Sequence, residues 1–174
     1  MKFSRLVLLF MLLAGTLISI DADAQPGGRR RPANRPAARK AEKIHARRVI
    51  RRTAIVIRHA QTCVRENKNY TGDLARSIAH QRYARKLYFD GKYLRAMHQS
   101  RRARQLAVLA IKANKGTESA NAANEKEDDD IMNSEPVSDA DLDTELDKNM
   151  PGYSTKDEDF VNAALSEIDL SDME

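Results

Sequence analysis

Residues 38–65, ARKAEKIHARRVIRRTAIVIRHAQTCVR, contain neither proline nor glycine. Ala46, Val49, Ile50, Thr53, Val56, Ile57, Ala60, Cys63 and Val64 recur there at steps of three and four residues. On a helix of about 3.6 residues per turn that spacing makes one apolar stripe. Arg47, Arg48, Arg51, Arg52 and Arg58 fall largely on the other side. The pattern predicts a long, basic, amphipathic helix that ends at Glu66-Asn67-Lys68-Asn69.

Working outward in the C-terminal direction, Thr71 or Asp73 can cap a second helix through a side-chain oxygen. Its apolar face would hold Leu74, Ala75, Ile78, Ala79, Tyr83 and Leu87. Asp90-Gly91 breaks it, because glycine enters the left-handed turn that closes a helix at little steric cost. A third helix follows with Tyr93, Ala96, Met97, Ser100, Ala103, Ala107, Ala110 and Ile111 inward. It closes at Lys112, Lys115 and Gly116, with cations at the negative end of its dipole. So short a connection makes helices two and three an antiparallel hairpin. The expected class is all-α: a small three-helix bundle over residues 38–115.

Within the hairpin, Ala84, Leu87, Gly91, Tyr93, Ala96 and Ala103 carry a likeness. Residues 77–110 resemble a single degenerate tetratricopeptide-type (TPR-like) repeat of 34 residues. The chain departs from that pattern at His80, Ser100 and Val108, which replace the family's tryptophan, large aromatic and helix-ending proline. Neither neighbouring window repeats it. The resemblance implies a protein-interaction scaffold and no enzymatic activity.

Toward the N-terminus, residues 25–37, QPGGRRRPANRPA, read as a flexible basic arm, since no backbone-bonded element persists through that spacing of proline and glycine. Solvated linker and polyanion-contacting arm are both open readings of it. Residues 1–24 have a positive start (Lys2, Arg5), an uncharged apolar run from Leu6 to Ile20, and the small-x-small site Ala22-Asp23-Ala24. That is the pattern of a cleavable signal peptide, cut after Ala24, and it predicts a secreted or periplasmic protein. The apolar run is too short for a membrane anchor of about 20 residues, so no transmembrane span is expected after cleavage.

Charge divides the remainder. Residues 25–115 carry 25 Lys/Arg against 4 Asp/Glu, and residues 116–174 carry 3 lysines against 19 acids. The balances of +21 and −16 are hidden inside a net charge of +5. Residues 116–174 read as an acidic, largely disordered tail, because 117–136 has too little apolar surface to offset ordering entropy. Two short helices are expected within it. One covers 138–148, where Ser138 and Asp141 resemble a capping box. The other covers 155–168, where Phe160, Val161, Ala164, Leu165 and Ile168 form an apolar stripe.

No catalytic residue can be assigned: there is no phosphate-binding glycine loop, nucleophile elbow or zinc signature. No cofactor and no metal are expected. His45, His59, His80 and His98 are the available ligands, and His80 and His98 sit where facing helices could bring them together. The acidic run 127–130 lacks the glycine and the spacing of a calcium loop. One cysteine, Cys63, excludes an internal disulfide framework and reads as a small core residue, with an intermolecular disulfide as the other reading.

The basic residues are the better lead, because arginine binds phosphate, sulfate and carboxylate through paired donors. Arg29, Arg30, Arg31, Arg47, Arg48, Arg51, Arg52, Arg101, Arg102 and Arg104 are the expected polyanion-binding set. Phe160, Leu165 and Ile168 are the expected anchors by which the tail docks on the helices. The function expected is a non-enzymatic binding protein for an anionic polymer or acidic protein, with its own tail as an intramolecular mask. The alternative is an envelope-associated interaction or structural module built on the repeat-like hairpin.

Overall fold

The computed structural model describes residues 35–170 apart from Asn124. The expected signal peptide and residues 25–34 of the basic arm lie outside the described residues. Five α-helices run in order: α1 (Arg35–Asn67), α2 (Asp73–Phe89), α3 (Tyr93–Ala113), α4 (Lys126–Asn133) and α5 (Asp139–Asn149). No β-strand occurs among the described residues. The class is all-α.

α1 starts three residues before the expected Ala38. Pro36 is tolerated because the first turn of a helix needs no backbone donor. The helix is about 50 Å long at 1.5 Å per residue. Its expected stripe, Ala46 through Val64, is buried at every position. α2 and α3 form the antiparallel hairpin. Gly91, at φ 73°, turns the chain, and Lys92 N donates to Leu87 O at 2.9 Å. Small residues line the contacts: Ala79, Ala84, Ala96, Ala103, Ala107 and Ala110 are all buried. They let the backbones approach closely, so a chain with few aromatics still fills its core.

The tail corrects the expectation of disorder. Residues 117–136 contain a 3₁₀ turn (Ala120–Ala122) and α4, and α4 rests on α1 and α3. The segment does lack apolar surface of its own, but the bundle supplies it. Met132 is buried beside Ala46, Val49, Ile50 and Met97. Glu127, Asp128 and Asp129 occupy the first turn of α4, where the helix dipole favours negative charge. The helix expected over 138–148 is α5, and Ser138 caps it: Asp141 N donates to Ser138 Oγ at 3.1 Å, while the Ser138 hydroxyl donates to the Asp141 carboxylate at 2.6 Å.

The helix expected over 155–168 does not form. Two 3₁₀ turns, Asp157–Asp159 and Ser166–Ile168, take its place. Side chains of the bundle hold backbone carbonyls of this segment. Gln61 Nε2 donates to Phe160 O (2.6 Å) and Ala163 O (2.9 Å), and Gln81 Nε2 donates to Ile168 O (2.9 Å). The apolar side chains therefore anchor one by one as the chain crosses the helices. Ala164, expected within the stripe, is exposed, and Leu170, beyond it, is buried.

Candidate functional site

The feature that organises the charged surface is the contact between the basic bundle and its acidic tail. α2 shows how the two fit. Thr71 and Asp73, the expected caps, hydrogen-bond each other at 2.9 Å, and the cap position falls on Gly72. The exposed donors of the helix are met from the tail. Asp157 accepts from Gly72 N and from Ala75 N, each at 2.9 Å, with its side chain fully buried. A carboxylate at a helix N-terminus satisfies orphan N–H groups and complements the dipole at once.

Ion pairs continue along the bundle. Arg102 forks onto Asp143 with two 2.8 Å bonds and reaches Asp139 at 3.1 Å. Arg76 adds a third bond to Asp143 at 2.8 Å. Burial pushes the Asp143 carboxyl up, but the Arg102 fork, with Arg76 and His80, outweighs that and holds it below the ordinary range. Arg95 and Tyr83 both reach Glu145, at 2.5 and 3.1 Å. Burial and the Glu145 contact push the Tyr83 hydroxyl up to about 12. Arg82 pairs with Glu167, whose carboxyl burial raises and Arg82 more than lowers. Arg58 meets Asp169 at 3.1 Å.

On the other flank of α1, Arg48 Nη1 lies 3.1 Å from Glu125 and 3.4 Å from Glu127. Arg52 lies 2.8 Å from Glu125 and 4.0 Å from Asp128, and donates to Ala123 O at 2.8 Å. His45 Nδ1 is 3.4 Å from Asp128. Asp128 is 1 % exposed, and neither of its oxygens has a hydrogen-bond partner; His45 Nδ1 and Arg52 Nη1 also lack one. Burial, with Glu125 adding repulsion, pushes the Asp128 carboxyl up, against the pull of His45 and Arg48.

The expected polyanion set is thus divided. Arg29, Arg30 and Arg31 lie outside the described residues. Arg48, Arg52 and Arg102 are paired with tail carboxylates. Arg104 is buried, bonded to Thr53 Oγ1 (3.1 Å) and Ala123 O (3.0 Å), and pushed down to about 10 by burial and by the nearby Arg52 charge. It serves the interior and not a surface. Arg47 and Arg51 are half-buried on the outer side of α1, and Arg101 is half-buried on α3. Phe160, Leu165 and Ile168 are buried in one cluster with Ile57, Val64, Ile78 and Ile111.

The histidines do not assemble a ligand set. His80 is fully buried, its Nδ1 2.7 Å from Gln99 Oε1 and its Nε2 3.1 Å from Asp143. Burial pushes it below its ordinary value, with Arg102 and Arg76 adding to the effect. His59 meets Thr117 O at 3.0 Å, and His98 is buried on α3. Among the described residues no group of three or more His, Cys, Asp or Glu is placed to hold a metal. Cys63 is a buried core residue whose thiol burial and Glu66 push up.

Sequence reasoning missed Asp157 and the gripping glutamines. Gln81 carried a signal, since Leu74, Ile78 and Ala84 flank it on one face of α2, whereas Gln99 lies between Arg95 and Arg102 and carried none. Asp157 carried none that separates it from the other tail acids.

Fold and interface together define a class: a cationic helical scaffold neutralised by its own C-terminal segment. No family model, curated protein or solved structure matches the chain.

Proposed function

We propose that this is an exported, non-enzymatic binding protein whose basic helices engage an anionic polymer or acidic protein, with the acidic tail as the resident occupant of much of that basic surface. The observation that carries the reading is the run of tail carboxylates on Arg48, Arg52, Arg58, Arg76, Arg82, Arg95 and Arg102. The scaffold accepts anions along its length. Export supplies the setting: partners would be anionic glycans, phosphate-bearing polymers or acidic proteins outside the cytoplasm.

Most of the tail cannot act as a loose mask. Burying a side chain such as Leu146, Ile168 or Leu170 is worth about 1.5–3 kcal/mol, whereas an exposed ion pair is worth about 0–1 kcal/mol. Residues 139–170 are therefore a permanent strap, and cutting the chain at Gly116 would unfold the bundle instead of unmasking it. The envelope-module alternative has less support, because α5 and residues 157–170 already cover much of the α2–α3 hairpin.

The test is titration of the whole protein with polyphosphate, heparin and poly-glutamate at low and moderate salt. Binding should weaken linearly in log–log form as salt rises. The double variant Arg47→Glu/Arg51→Glu should weaken it about tenfold or more. If none of the three probes binds at low salt, the reading is wrong.

A further inference from the structure

The described part of the tail leaves one cationic end of the bundle unpaired. Arg39 and Lys43 lie one helical turn apart on α1, and Lys92 stands in the turn that joins α2 to α3. All three are exposed, and among the described residues none has a carboxylate partner. The two segments meet there: the Arg39 guanidinium lies against Gly91, where a methyl group would come within 2.9 Å of Nη2. Beside them, Lys43, Arg47, Tyr88, Phe89, Tyr93 and Leu170 line a concavity of about 220 Å³. A small-molecule pocket measures about 300–1,000 Å³, so this one takes a single side chain and not a whole ligand.

Aromatic rings form one wall of it. Tyr88 meets Phe89 and Tyr93 edge to face, with centroids 5.8 and 5.4 Å apart. Phe89 is nonetheless 49 % exposed. An aromatic side chain at the centre of a cationic rim is the arrangement by which protein interfaces anchor a partner. Leu170 shows which chemistry seats beside these rings. It packs in one cluster with Tyr88 and closely follows Glu167 and Asp169, which pair with Arg82 and Arg58. Met132 repeats the pattern on α4, after Glu127 and Asp128. Twice, then, this bundle takes an apolar side chain from an acidic segment whose carboxylates meet its cations.

We infer that this aromatic cleft is the docking site for an acidic peptide segment of a partner protein. One large apolar side chain enters against Tyr88, Phe89 and Tyr93, and carboxylates on either side of it reach Arg39, Lys43 and Lys92. This rests on the binding role proposed above and deepens it, by naming where the partner enters and what it presents. A bare anionic polymer would meet the cations and leave Phe89 in water. Asp90, exposed in the same turn, opposes the charge of the ligand, so the apolar side chain supplies what the ion pairs alone do not.

The experiment titrates the whole protein with a short fluorescent peptide of Glu and Gly that carries one central Leu. Its controls are the same peptide with Gly in place of the Leu, polyphosphate, and phosphatidylglycerol vesicles. The Leu peptide should bind about tenfold more tightly than the Gly peptide. Phe89→Ala should weaken the Leu peptide about tenfold and leave the Gly peptide unchanged. Arg39→Glu/Lys43→Glu should weaken both about fivefold, and Asp90→Asn should tighten both about twofold. All four positions are exposed, and circular dichroism verifies folding of each variant. Residues 171–174, Ser-Asp-Met-Glu, follow Leu170 and lie outside the described residues, so a chain ending at Leu170 is titrated in parallel.

Equal binding of the two peptides, or the same response of both to Phe89→Ala, overturns the inference. So does binding by the chain ending at Leu170 alone, which would make the cleft the seat of the protein's own 171–174. Binding of polyphosphate or vesicles without the Leu peptide also overturns it, and leaves the broader reading standing. Binding of no anionic probe at all removes both.

Discussion

Residues 125–133 and residues 139–170 are both acidic, and both lie on the same basic bundle, yet different forces hold them. The first segment meets α1 through half-exposed ion pairs, one buried methionine and a carboxylate with no hydrogen bond. The second buries Leu142, Leu146, Phe160, Val161, Leu165, Ile168 and Leu170, and uses one of its buried acids, Asp157, as a helix cap. Both segments carry carboxylates that pair with arginines of the bundle. Apolar burial and satisfied hydrogen bonds decide which one belongs to the fold.

The comparison fails if the strap can be weakened without loss, so the most damaging test is Ile168→Ala. Ile168 is fully buried among residues of α1, α2 and α3, and its carbonyl is held by Gln81. Deleting such a side chain should cost about 2–5 kcal/mol through lost transfer energy and the cavity left behind. Urea denaturation of the whole protein measures it. A loss below about 1 kcal/mol would place the strap with α4, as an accessory.

Asp157→Ala comes next. It removes the acceptor of Gly72 N and Ala75 N while leaving the apolar anchors in place. Loss of a helix N-cap costs about 1–2 kcal/mol. Amide exchange at Gly72 and Ala75 should quicken before the rest of α2 changes. An unchanged exchange rate there would show that the carboxylate is dispensable.

How much of this was legible beforehand follows the same division. Periodicity in α1, α2 and α3 is set by a continuous buried stripe, so Ala46 to Val64 could be placed from spacing alone. The Ser138–Asp141 cap is local and was equally readable. The disorder expected for 117–136 was wrong because the apolar groove that seats Met132 belongs to α1 and α3, not to the segment. The helix expected at 155–168 gives way to two 3₁₀ turns whose apolar side chains reach the bundle one by one, and the groove that seats them belongs to α1, α2 and α3, not to the segment. The arginines were readable as a basic surface, but nothing local distinguishes Arg104, which is interior, from Arg101. Long-range partners decide both cases.

The smallest effect expected is also the one that separates the two segments by sign. Asp143 and Glu167 in the strap are held below their ordinary values of 3.8 and 4.5 by Arg102 and Arg82, against the opposing effect of burial. Their contribution is complete above those ordinary values and disappears as pH falls through the lower folded ones. Buried His80, beneath α5 and pushed below 6.5, has the same sign: its neutral form is favoured, and acid erodes what it contributes. Asp128 in α4 runs the other way. Its carboxyl is raised by burial and by Glu125, so proton uptake relieves a charge that docking would otherwise desolvate. As pH falls below about 6, amide protection should rise across 126–133 as Asp128 takes up a proton. It should fall across 139–149, first as His80 protonates and then, below the ordinary 3.8, as Asp143 does, once both are corrected for intrinsic exchange. His45 also faces Asp128, with Arg48, Arg52 and Glu125 nearby, so His45→Gln serves as the control that isolates the carboxyl. If both segments gain or lose protection together, acid acts on the bundle as a whole, and α4 is no more separable than α5.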